Sequence, residues 1–146
     1  MSDYYKVDSV GNKILMESEL NSINNALLAD NRTLLASESG SLFMIATDAK
    51  VISLPATAAG LVYHIVNTGA AGNNIVTISP VAADGISGTI TLAATVVVDA
   101  GVVNKDLINT KATSQAGDSV TLLGTGVTGT KAWIIVSSTG IWAAEG

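Results

Sequence analysis

His64 is the only histidine in the chain, and it limits the acid–base chemistry available to this sequence. Imidazole is the usual general base, so a Ser–His–Asp site would have to run through it. No G-x-S-x-G elbow accompanies it. It sits between Tyr63 and Ile65 in an apolar, strand-like run, where a packed or interface histidine is the expected role. Cysteine is absent, which removes thiol nucleophiles, thiolate metal ligands and disulfides together. A single histidine cannot form a His pair on a metal. The carboxylates are dispersed, with no D-x-D or E-x-x-E in the β-rich part to suggest a glycosidase dyad. Asp99 to Asp106 lacks the oxygen-ligand spacing of an EF-hand loop. The residues therefore predict no catalytic site, no metal and no cofactor.

One spelling does resemble a phosphate cradle. Gly124-Thr-Gly126-Val-Thr-Gly129 satisfies G-x-G-x-x-G. A dinucleotide site needs that turn to open a helix whose N-terminus faces the pyrophosphate. Here Trp133, Ile134, Ile135 and Val136 follow, which is a strand pattern. The three glycines are expected to form a turn between two antiparallel strands, at positions that favour positive φ. Asp84 before Gly85 and Asp118 after Gly117 read as turn formers. Asn31-Arg32-Thr33 spells a glycosylation sequon, which carries no weight without a secretion signal. Two aromatic groupings remain. Trp133 and Trp142 are expected in core or subunit packing, with a sugar-stacking platform as the alternative. Tyr4, Tyr5 and Lys6 form a candidate arm for a partner's groove, against the alternative of an unstructured tail.

The elements that must position these residues divide near Gly40. Before it, Met16, Leu20, Ile23 and Leu27 recur at spacings of 4, 3 and 4, which predicts one short N-terminal helix. The stripe is too short for a self-standing coiled coil, so the helix is expected to dock on a sheet or pack beside symmetry mates. After Gly40 the period becomes two, in "SLFMI", "KVISL", "LVYHIVN", "NIVTISP", "TITLA", "SVTLLG" and "KAWIIVSS". Short runs of this kind, bounded by Gly, Asn, Asp or Pro, predict a mainly β domain: an antiparallel, jelly-roll-like sandwich or barrel. The division is 1–40 for arm and helix and 41–146 for the β domain. Asn67 to Asn74 is expected to be a hairpin connection. Asp99 to Asp118 is expected to be a long connection with one short strand. Pro55 and Pro80 should close strands, where a missing N–H costs least.

Leu61 to Val66 is apolar on both faces: Leu61, Tyr63 and Ile65 on one, Val62, His64 and Val66 on the other. A half-exposed strand should alternate apolar with polar, so this one is central or covered by another subunit. Composition points the same way. Charged residues make up 13% of the chain, about half the usual ~25%. With 48% hydrophobic residues, a monomer would leave apolar surface in water. Net charge is −5 and the seven bases are scattered singly, which argues against nucleic acid. No run of ~18 apolar residues suggests a membrane span. The acidic "MSDYYKVDSV" lacks the apolar core of a secretory signal.

Lys50 to Gly88, "KVISLPATAAGLVYHIVNTGAAGNNIVTISPVAADGISG", resembles a module recurrent in tailed-bacteriophage structural proteins. So does the later "GDSVTLLGTG…KAWIIVSSTGIW", Gly117 to Trp142. The matching features are a strand ending in Leu-Pro, an aromatic-bearing strand ending in Asn-Thr, "VTISP", and a closing Trp strand. The stretch "VVVDAGVVNKDLINTKATS" is longer and more charged than the minimal module. The resemblance implies a non-enzymatic, homotrimeric head decoration (cement) protein. It would be made in the host cytoplasm and bind the major capsid protein on the virion surface, with Tyr4, Tyr5 and Lys6 as the capsid-contact arm. Tyr63, His64, Trp133 and Trp142 would join Leu20, Ile23 and Leu27 in subunit packing. Two alternatives remain at this stage: a head or tail fibre component touching a host glycan through loops 67–74 and 99–118, and a carbohydrate-binding module using Trp133 and Trp142.

Overall fold

Residues rich in Val, Ile and Thr pack well on a pleated surface, and every one of the alternating runs lies in a strand. The computed structural model describes residues 5–7, 13–15, 25–93 and 95–145. In chain order the strands are β1 (Tyr5–Val7), β2 (Lys13–Leu15), β3 (Asn25–Leu28), β4 (Arg32–Thr33), β5 (Leu42–Ile45), β6 (Lys50–Ser53) and β7 (Val62–Asn67). They continue with β8 (Val76–Ser79), β9 (Asp84–Leu92), β10 (Thr95–Asp99), β11 (Leu107–Asn109), β12 (Ser119–Gly124), β13 (Gly129–Thr139) and β14 (Trp142–Ala144). A 3-10 turn at Ala36–Glu38 is the only helical element among the described residues. The chain is mainly β.

Two sheets carry the fold. The larger has seven strands in the order β10-β9-β13-β12-β7-β5-β3, and the smaller has five, β14-β11-β8-β6-β4. β1 and β2 pair with each other as a separate ribbon. From β3 to β8 the chain visits the two sheets alternately, so each winding leaves one strand in each. Strands of successive windings are therefore parallel: β3 with β5, β5 with β7, β4 with β6 and β6 with β8. β9 and β13 are also parallel. The expectation of antiparallel sheets is corrected here, because both sheets are mixed. Alternation identifies a strand but carries no information about which sheet its turn leads to.

The loop Asn67 to Asn74 shows the cause. It was expected to be a hairpin, yet it carries the chain from β7 in the larger sheet to β8 in the smaller. Asp84 and Gly85 were expected in a turn but open β9, and both are buried. The expected N-terminal helix is not seen. Leu27 lies in β3, paired with Met44 of β5, and that ladder overrides the weak helix preference of its neighbours. Met16, Leu20 and Ile23 lie outside the described residues. The first strand of the larger sheet is β3, from Asn25, and the first of the smaller is β4, from Arg32. Other expectations hold. Pro55 and Pro80 follow β6 and β8, and β11 is the short strand within 99–118. The glycine motif joins antiparallel β12 and β13. Gly126 and Gly129 have φ of 78° and 113°, whereas Gly124 is required by space, since a Cβ there would lie 2.6 Å from the Ala58 carbonyl.

One apolar cluster draws on both sheets: Phe43, Ile45, Tyr63, Ile65, Leu122 and Trp133 from the larger, Ile52, Val76, Ile78, Leu107 and Trp142 from the smaller. Fully burying a large apolar side chain contributes about 1.5–3 kcal/mol. Tyr63 lies at the centre, its ring 5.6 Å from that of Trp133 and 6.2 Å from that of Phe43. Its hydroxyl donates to the Leu35 carbonyl at 2.9 Å. Burial, with a smaller effect from the Glu38 carboxylate, holds that hydroxyl above its ordinary pKa.

Candidate interaction surface

In a strand, successive side chains leave opposite faces, so the register of the larger sheet specifies which residues turn away from the core. Phe43, Ile45, Tyr63, Ile65, Val120, Leu122, Trp133 and Ile135 point inward and are buried. Their neighbours in sequence point outward. One outward row crosses from Leu27 through Met44 to Val66. A second passes from Leu42 through His64 and Thr121 to Ser137, and Thr89 pairs with Val98 farther across the sheet. A third holds Val62, Leu123 and Ile134. The outward positions named here include no Asp, Glu, Lys or Arg.

These side chains shield one another in the middle of the sheet and stand free at its rims. Leu42, Met44, Val62, His64, Val66, Leu123 and Ile134 are half-buried. Leu27 is 67% exposed on β3, and Val96 and Val98 are 67% and 80% exposed on β10. Val136 stands opposite the irregularity between Thr121 and Leu122 and is 55% exposed. The smaller sheet is built differently. Its outward positions include Thr33, Ser53, Thr77 and Ser79, whose hydroxyls suit water. Val51, Ile108 and Ala143 share that outward side, and the larger sheet's outward side also holds Ser119, Ser137 and Thr91. The larger sheet has the longer run of Leu, Met, Val and Ile. His64 is the sole titratable group among these outward residues, and its Nδ1 is hydrogen-bonded to the Thr121 hydroxyl at 3.0 Å.

The strands are held in place by a buried polar clamp that the sequence reading missed. Asn67 Nδ2 donates to Asn109 Oδ1 at 2.6 Å, linking β7 of the larger sheet to β11 of the smaller. Asn109 Nδ2 donates to Asp118 Oδ2 at 2.8 Å and to the Ile141 carbonyl at 3.0 Å. Asn67 Oδ1 accepts from Asn74 Nδ2 at 2.8 Å and from the Gly69 amide at 2.9 Å. All four side-chain-bearing residues Asn67, Asn74, Asn109 and Asp118 are buried. Gly140 packs against Asp118 so closely that a Cβ there would lie 2.1 Å from the carboxyl carbon, and its φ is 85°.

The residues singled out from sequence separate into three groups. Tyr63, Trp133 and Trp142 are 0% exposed, so their rings are used inside one copy and cannot reach a second subunit or stack on a sugar. His64 and Leu27 do lie on the outward apolar face. Tyr4, Leu20 and Ile23 fall outside the described residues, while Tyr5 and Lys6 lie in β1, opposite Leu15 and Ile14. Val96, Val98, Leu123 and Val136 were not anticipated individually, although the two-sided apolar pattern of Leu61 to Val66 was the signal for the whole face. Among the described residues two buried polar atoms have no hydrogen-bond partner, Asp84 Oδ1 and Trp133 Nε1. Among the described residues no three His, Cys, Asp or Glu side chains gather as metal ligands, and no concave pocket opens. No helix among them is long and apolar enough to cross a membrane. The chain matches no family model and no curated protein.

Proposed function

We propose that this chain is a bacteriophage head decoration protein: a sandwich of two sheets that assembles as a homotrimer on the capsid surface and stabilises the shell. The observation that carries the reading is the set of outward apolar rows on the larger sheet, from Leu27 to Ile134, which hold no charged side chain. A soluble monomer rarely presents a contiguous apolar patch beyond a few hundred Å², so a face of this kind belongs to an assembly protein. The resemblance of Lys50–Gly88 and Gly117–Trp142 to phage structural modules supplies the kind of assembly. Anything that binds only the assembled shell stabilises it by mass action. Apolar burial at ~25 cal/mol per Å² provides the gross driving force, reduced by the cost of ordering and immobilising the partners. The capsid contact is assigned to the arm Tyr4, Tyr5 and Lys6.

Co-sedimentation with purified empty phage heads tests this. The intact protein is expected in the pellet at saturable stoichiometry, and heads carrying it should withstand heating that opens bare ones. Removal of Met1 to Gly11 should abolish pelleting without unfolding the β domain. Heads that neither retain the protein nor gain thermal resistance would refute the assignment. The alternative of a sugar platform built on Trp133 and Trp142 is disfavoured by their complete burial.

A further inference from the structure

The outward apolar face of the larger sheet is wide enough to be an interface by itself. Seven strands averaging about six residues, at ~4.8 Å spacing and ~3.3 Å rise, span on the order of 700 Å². A standard specific interface buries ~800 Å² on each partner. Its chemistry also selects among partners. The chain carries a net charge of −5, so two copies repel unless they meet through neutral ground. The outward rows from Leu27 to Val98 are that ground. A basic or acidic partner would be matched by charged side chains on this face, because complementary charge is what gives such pairs their specificity; the named positions offer none.

We infer that copies of this chain associate with one another through this face, with His64, Thr121 and exposed Val136 in its interior and Val96, Val98 and Leu27 toward its rims. The inference rests on the decoration reading only in sharing its self-association, and it names the surface responsible. The middle of the face has the make-up of an interface core: half-buried Leu, Met, Val and Ile around the hydrogen-bonded His64–Thr121 pair, with Ser119 and Ser137 beside it. The rim valines are the positions that a neighbour would cover. β10, the five-residue edge strand Thr95-Val96-Val97-Val98-Asp99, has no Pro or Lys and leaves a second, adjoining surface open to another copy. Edges of solitary proteins are usually blunted by such residues.

Light scattering after size-exclusion chromatography of the full chain, at tens of micromolar, reads the result. The wild type should elute as a closed oligomer. The double variant Val98→Lys, Val136→Lys should dissociate to monomers, with at least a tenfold weaker association constant. Both positions are more than half exposed in a single copy, so lysine there leaves the fold intact, as an unchanged far-ultraviolet circular dichroism spectrum would verify. Leu123→Arg, at the centre of the face, should dissociate it as well. A wild type that is monomeric at this concentration overturns the inference, as does an oligomer whose mass the double variant leaves unchanged. Head binding separates the two proposals. A monomer that still pellets with heads sinks the self-association surface and spares the decoration role, whereas an oligomer indifferent to heads does the reverse.

Discussion

Asp48 shows how a single exposed side chain can fasten two distant loops. Its Oδ1 accepts the amides of Ala49 and Ile75, each at 2.9 Å, while Oδ2 pairs with the Lys111 ammonium. The hydrogen bond from Lys111, followed by the one from the Ile75 amide, holds the Asp48 carboxyl below its ordinary value of 3.8. A carboxyl with a depressed folded pKa contributes stability that is complete above the unfolded value and is lost as pH falls through the folded one. The stability difference between wild type and Asp48→Asn should therefore be constant across neutral pH. It should shrink toward zero as urea denaturation is repeated at progressively lower pH below 3.8. At the same scale, Arg32 pairs with Glu38 while its guanidinium lies 5.7 Å from the Phe43 ring centre. That arrangement covers the core at the rim of the smaller sheet.

Between elements, the Asn67–Asn109–Asp118 clamp is what ties the two sheets at one end of the core. A buried network is worth most when every member is satisfied, and a half-made one leaves desolvated groups without partners. Asn109→Ala strips Asn67 Nδ2 and Asp118 Oδ2 of a partner at once, and should cost about 2–4 kcal/mol in chemical denaturation. The strands at this scale were legible in the sequence, because Val, Ile and Thr alternation survives any choice of neighbour. Their pairing was not. "NTGAAGNN" has the composition of a hairpin turn, and only Asn67 and Asn74 bonding inward to each other reveals that it bridges sheets. The spacing of Met16, Leu20, Ile23 and Leu27 fits a helix equally well on paper, but Leu27 follows the ladder offered by β5. Of the candidate site, His64 and its two-sided strand were readable from residue types alone. Val136 and Val98 were not, since Val136 is placed by the β12–β13 ladder and its irregularity, and Val98 by β13 and β9 running parallel.

For the molecule as a whole, the alternation of β3 to β8 between sheets means that its first half is laid down like thread on a spool. Strands of the larger sheet start at residues 25, 42 and 62, and those of the smaller at 32, 50 and 76. β3 and β4, which come first, are the outermost strands on their side of each sheet. In such an arrangement each layer leans chiefly on the next, and stability accrues layer by layer. A graft of residues 42–61 inserted ahead of Asn25 should accordingly fold, adding one strand to each sheet while leaving the existing ladders in register. A rise in strand signal with a melting temperature no lower than the parent's would bear this out, and an insoluble or less stable product would contradict it. Length is then a free parameter of this architecture: it can be extended from one end without redrawing the face that carries His64.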